Sequence, residues 1–308
     1  MSLQNFDLHS FYKKFESNGE YLRDIVRTMI LGACYQPPGG KYIVKDNYYV
    51  SNFIYPDSEE ELAKKIKDPV DNEKLTRFDW INADGSIKTE ITYKINQQGF
   101  RSAEFTPEDA LVCFGCSYTY GVGLPEEQTW PHMLSKHYNI PAFNLGIPGH
   151  GLDLITFYAM SYLRQDILKP KAFFVLVPPP GRLEMFLPSA PEMPLPQHYT
   201  AVNLMYKINA LPPSVSTTFL ADALPMTSFI NSKKNIFLLQ RVADFLGIPC
   251  IVSYSQGFDS QQGFVPAPPA HCNETIYARD LMHPGKDWQA RVAQTMIDQL
   301  PSLHNRSL

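Results

Sequence analysis

From about residue 107 onward, short apolar runs alternate with longer amphipathic stretches. The runs Ala110–Phe114, Ala142–Leu145, Ala172–Val177 and Cys250–Tyr254 read as strands, and helices are predicted over Glu127–Tyr138, Leu152–Leu168, Ser232–Leu246 and Gly285–Leu300. Short apolar strands separated by helices imply a mostly parallel sheet covered on both faces, the arrangement of an α/β fold. In open sheets of this kind ligands sit beyond the carboxyl ends of the strands. Ser117, Gly149 and the region of Arg182 all fall at that edge.

Before residue 107 the pattern changes. Asp7–Leu31 is helical in character and Glu59–Lys67 is a polar, charged helix candidate, while Lys41–Tyr49 and Trp80–Ile87 supply the β part. Within the latter, Asp84-Gly85 is a hairpin signal because these residues tolerate positive φ. The chain is therefore divided into an N-terminal α+β extension, residues 1–106, and an α/β domain, residues 107–308. Proline is over-used: 26 of 308 residues, against a usual share of about 5%. Seven of them fall between Pro178 and Pro196. Each ring fixes φ and removes a donor, so this stretch reads as a constrained loop, either a lid or pocket wall at the ligand edge or an exposed connector.

Composition narrows the classes. Apolar residues at 44% and charged residues at 19% suit a globular chain. A net charge of −4 gives no long-range attraction for nucleic acid or anionic lipid. No stretch reaches the roughly 18 apolar residues of a spanning helix, and the first residues lack the basic and apolar regions of a signal peptide. No nucleic acid and no membrane partner is expected. Five scattered cysteines, Cys34, Cys113, Cys116, Cys250 and Cys272, do not form the even framework of a small secreted domain, which predicts a cytoplasmic or otherwise reducing compartment.

The chemistry is concentrated in two places. Phe114-Gly115-Cys116-Ser117-Tyr118-Thr119-Tyr120-Gly121 follows a predicted strand directly and reads as a turn bearing a nucleophile. A serine hydroxyl attacks well only when a base takes its proton and a third group orients that base. Far downstream, Asp280 and His283 supply an acid and a base three residues apart. Pro284 biases His283 away from helical dihedrals, so the pair is expected in a loop just before the last helix.

At this point the sequence resembles the SGNH/GDSL hydrolases. Phe114–Gly123 looks like their first block, Asn144-Leu145-Gly146-Ile147-Pro148-Gly149 is similar to the second, and Asp280-Leu281-Met282-His283-Pro284-Gly285 resembles the last. The likeness covers about residues 107–300. It implies a three-layer αβα sandwich, hydrolysis of small acyl or acetyl esters such as an acetylated sugar, and neither metal nor organic cofactor. It also implies a triad of Ser117, Asp280 and His283, with the N–H of Gly149 donating to the oxyanion. His132, His137, His150 and His198 read as surface or pocket-rim residues, with His150, adjoining Gly149, the candidate for substrate contact.

Two departures accompany the likeness. Cys116 stands where the family has an aspartate. The third block, usually Gly-x-Asn-Asp, is replaced by Pro178-Pro179-Pro180-Gly181-Arg182. Losing one oxyanion donor costs about 10²–10³ in rate, and Arg182 is the candidate substitute. The rival from another class is a binding or structural module with a weak or silent site, its extension serving as an assembly surface.

Other readings are weaker. Cys113 and Cys116 have redox spacing, but Cys113 lies in an apolar run. His271, Cys272, Asp280 and His283 lack the paired spacing of metal ligands. Gly115, Gly121 and Gly123 match no nucleotide motif. Tyr118, Tyr120 and Trp130 are either a sugar-binding face or packing, and packing is the expectation; Trp288 is expected to pack the last helix on the sheet.

Overall fold

The computed structural model describes residues 43–45, 48–51, 57–164, 168–178, 185–187, 197–199, 217–255 and 277–303. The predicted helix over Asp7–Leu31 lies outside them, as do Arg182 and most of Pro178–Pro196. Within that proline-rich stretch a short strand, Met185–Leu187, pairs antiparallel with Gln197–Tyr199.

The α/β fold is present. Numbered along the chain, the strands are β1 (Ile43–Lys45), β2 (Tyr48–Ser51), β3 (Tyr93–Ile95), β4 (Asp109–Gly115), β5 (Ala142–Gly146), β6 (Lys169–Val177), β7 (Met185–Leu187), β8 (Gln197–Tyr199) and β9 (Cys250–Tyr254). The helices are α1 (Glu59–Lys67), α2 (Pro69–Arg77), α3 (Ser117–Tyr120), α4 (Trp130–Tyr138), α5 (Leu152–Arg164), α6 (Thr217–Phe245) and α7 (Lys286–Gln299). Four strands form a sheet in the order β5-β4-β6-β9, with every neighbouring pair parallel.

Side chains alternate across a strand, so each central strand feeds two cores. Leu111 and Cys113 of β4, with Ala172, Phe174 and Leu176 of β6, pack against Trp130 and Leu134 of α4 and Trp288, Val292 and Met296 of α7. Val112, Phe114, Phe173 and Val175 face the other way, toward Leu152 and Ile155 of α5 and Ile236 and Leu239 of α6. Because both faces are covered, the strands read as continuous apolar runs.

Strands β1, β2 and β3 form a small antiparallel sheet, and Gly85, at φ 82°, closes the predicted hairpin through a bridge between Ile81 and Ile87. Helix α1 begins at the predicted residue, where the Ser58 hydroxyl caps the N–H of Glu61. Helix α2 was not anticipated; Asp68 caps it and Pro69 occupies its first position. The described part of the extension does not stand apart from the sheet: Leu62, Leu75, Trp80, Tyr93 and Phe100 share one apolar core with Val112 and Phe114. Among the described residues, no helix is long and apolar enough to cross a membrane.

Candidate active site

Ser117 begins the four-residue helix α3, which sits directly on the tips of β4 and β5. Two glycines permit that approach. A Cβ on Gly115 would fall 2.0 Å from Thr119 Oγ1, and one on Gly146, its register partner, would fall 2.4 Å from the Tyr120 nitrogen. Any side chain at either position would displace the helix.

So short a helix cannot satisfy its own final carbonyls. Here they are taken up by side chains from other elements. Gln289 Nε2 of α7 donates to the Tyr118 carbonyl at 2.9 Å, and Asn144 Nδ2 of β5 to that of Thr119 at 2.8 Å. Arg101 donates to the carbonyls of Tyr120 at 3.2 Å, Gly121 at 2.6 Å and Leu124 at 2.8 Å, while its guanidinium lies over the ring of Tyr93. Cys116 caps nothing with its side chain. The turn is instead held from outside, by Arg101, Asn144 and Gln289.

The loop that precedes α7 comes to the same place. The Arg279 N–H donates to the Gly123 carbonyl at 2.9 Å, and a Cβ on Gly123 would meet Ala278 Cβ at 2.8 Å, so the exit of the Ser117 turn and the loop touch backbone to backbone. In that loop Asp280 is fully buried. Its Oδ1 accepts the N–H of Met282 at 3.2 Å and of His283 at 3.0 Å, and its Oδ2 bonds His283 Nδ1. Burial works to raise the Asp280 carboxyl, yet the charge and hydrogen bond of His283 and the backbone donors together hold it below its usual range. Leu281 adopts φ 53° to make this tight turn, a conformation uncommon for a bulky side chain.

Asp280 thus fixes the imidazole by Nδ1, which leaves Nε2 as the ring nitrogen that could meet a further partner. The His283 ring stands edge-on to that of Tyr118, the residue after Ser117, with centroids 5.6 Å apart. Among the described residues no hydrogen bond joins Ser117 Oγ to His283; the hydroxyl makes only a long 4.0 Å contact with Cys116 Sγ. Ser117 is nearly buried and the His283 side chain is 13% exposed.

Gly149 takes φ 80°, a backbone that favours glycine, in the turn after β5. His150 follows it and is buried rather than surface-lying, its N–H donating to the Ile147 carbonyl at 3.3 Å. Strand β6 runs into a buried Pro178, which has no N–H to offer. The candidate substitute, Arg182, lies outside the described residues. Tyr120, Trp130 and Trp288 are buried packing residues, whereas Tyr118 is half-buried between His283 and Trp288. Cys113 and Cys116 are free and buried, and burial pushes the Cys113 thiol well above its usual range, so it is a core residue rather than a redox one.

Sequence reasoning missed Asn144's clamping role, Arg101 and Gln289. None of the three carried a local signal, because each acts on a backbone carbonyl distant in the chain. Compared with models of known protein families the chain matches none, and no curated protein sequence matches it.

Proposed function

We propose that this protein is a serine-dependent hydrolase of small acyl esters, with acetyl esters, including acetylated carbohydrates, as the substrate class. The observation that carries the reading is the Asp280–His283 pair, with the His283 ring set edge-on against Tyr118, the residue after Ser117. Ser117 Oγ attacks the acyl carbonyl while His283 Nε2 takes the hydroxyl proton, and Asp280 stabilises the imidazolium that forms. The N–H groups of Ser117 and Gly149 face the oxyanion. Collapse breaks the bond to the alcohol, which leaves with the proton from His283; water, deprotonated by His283, then cleaves the acyl-enzyme ester. Catalytic hydrogen bonds are often long before substrate binds, and the Ser117–His283 bond closes in the complex. The free thiols of Cys113, Cys116 and Cys250 are in keeping with a reducing compartment.

Pro178 in place of an oxyanion donor, together with the open Ser117–His283 geometry, favours a second reading: a binding module with a slow or silent site, assembled through its extension. Turnover of an aryl acetate by the parent protein and its Ser117→Ala variant separates the two. The esterase reading expects turnover that the variant loses; equal, background-level rates in both support the module.

A further inference from the structure

Beyond the three blocks, the nucleophile turn and the acid–base loop are joined through residues of the N-terminal extension. Asp57, 222 residues away from Arg279 in the chain, receives Arg279 Nε at 2.9 Å and Nη2 at 2.7 Å, with both side chains buried. The same carboxylate accepts the hydroxyl of Tyr93 at 2.6 Å, and that hydroxyl in turn accepts the N–H of Gly123 at 2.8 Å. Gly123 is therefore a joint: its N–H is held by the extension and its carbonyl by the Arg279 N–H. The extension grips the start of the loop as well, since Trp80 Nε1 donates to the Tyr277 carbonyl at 2.9 Å and the rings of Phe78 and Tyr277 lie 5.9 Å apart.

Each end of this network is one step from the proposed chemistry. Arg279 is the residue before Asp280, and Gly123 lies one residue past Val122, whose N–H is bonded to the Ser117 carbonyl. Burial holds the Tyr93 phenol far above its usual range, so it stays protonated and donates to Asp57. None of the three side chains reaches the reacting atoms. What they fix is the separation between two backbones that carry them.

We propose that the extension is a working part of the site: Asp57, Tyr93 and Arg279 are positioning residues that set the nucleophile turn against the acid–base loop. The catalytic consequence rests on the esterase reading, but the coupling itself does not.

Tyr93→Phe tests this with the loss of a single oxygen, since the ring keeps its place beside Tyr120 and Arg101. Three readouts apply to the full chain: amide hydrogen exchange at Gly123 and residues 279–283, the NMR titration of the His283 ring, and the rate at which a fluorophosphonate labels Ser117. The expected result is exchange about fivefold faster, the loss of one hydrogen bond, and a displaced His283 titration. Labelling should slow by roughly tenfold to a hundredfold, the cost of a small misplacement. Asp57→Asn should reproduce the pattern. Leu62→Ala, a cavity in the extension's core, should lower the melting temperature and leave all three readouts unchanged.

Unaltered exchange and titration in Tyr93→Phe would overturn the coupling. A labelled parent whose rate is matched by both variants would overturn the positioning role while leaving the esterase reading intact. A parent that is never labelled sinks the esterase reading, and the exchange and titration arms then decide the coupling alone.

Discussion

Two buried carboxylates meet this protein's last loop at consecutive residues, and they behave in opposite ways. Asp280 bonds His283 three residues along, with two backbone N–H groups adding to the pairing, and is held below its usual range. Asp57 binds Arg279 from the far end of the chain, and burial, partly offset by Arg279 and Tyr93, leaves it raised. The difference is one of surroundings rather than of charge. Asp280 sits in a turn whose own amides point at it, whereas Asp57 depends on side chains brought in by the fold and feels the neighbouring Asp280 charge. One pair belongs to the proposed chemistry, and the other to the frame that holds it.

Substitutions at each pair should separate chemistry from frame. The largest effect is expected from Asp280→Asn, which keeps the turn's shape but removes the charge opposing the imidazolium. Ester turnover should fall by about 10⁴ with the far-UV spectrum unchanged, and a loss of only severalfold would place Asp280 in the frame instead. Next, Arg279→Met leaves the Asp57 charge buried without its cation and should destabilise the fold by about 3–5 kcal/mol, measured in urea. Replacing both partners, Asp57→Leu with Arg279→Met, should recover most of that loss. A double variant no more stable than the single one would show instead that the bond from the Tyr93 hydroxyl to Asp57, lost with the carboxylate, outweighs the unpaired charge.

The smallest effect is the pH dependence, where the two carboxylates have opposite signs. The folded value of Asp280 lies below its ordinary 3.8. Its contribution is complete above that value and is lost as pH falls through the folded value. The folded value of Asp57 lies above 3.8, so its share of stability declines as pH rises from 3.8 through the folded value. Stability measured against pH should therefore fall less on acidification below 3.8 in Asp280→Asn than in the parent. An acid limb identical to the parent's would contradict the assigned direction.

The contrast between the pairs also marks where the sequence was legible. The β4, β5, β6 and β9 strands stood out because both faces are buried, and Asp280 with His283 because the stretch Asp280–Gly285 resembles the last block of a known family rather than through their spacing alone. Local chemistry that went unread was readable in principle: Asp68-Pro69 is a start signal for α2. Thr129, extended before a helix with Pro131 in its first turn, delays α4 to Trp130 beyond the expected Glu127. Helix α6 begins at Thr217 rather than Ser232, since Pro225 within its span masks the periodicity. Asp57, Arg101 and Gln289 were a different case. Each acts on a partner more than fifteen residues away, and nothing in a local pattern of polar and apolar positions encodes such a meeting.

The central claim is that Ser117 is a nucleophile made competent by His283. Its most direct test is the mass of the protein after reaction with a fluorophosphonate, followed by peptide mapping of the adduct. The account predicts one adduct per chain, mapped to Ser117, absent from Ser117→Ala and strongly slowed in a His283→Ala variant. An unmodified parent chain, or an adduct that persists in Ser117→Ala, would contradict it.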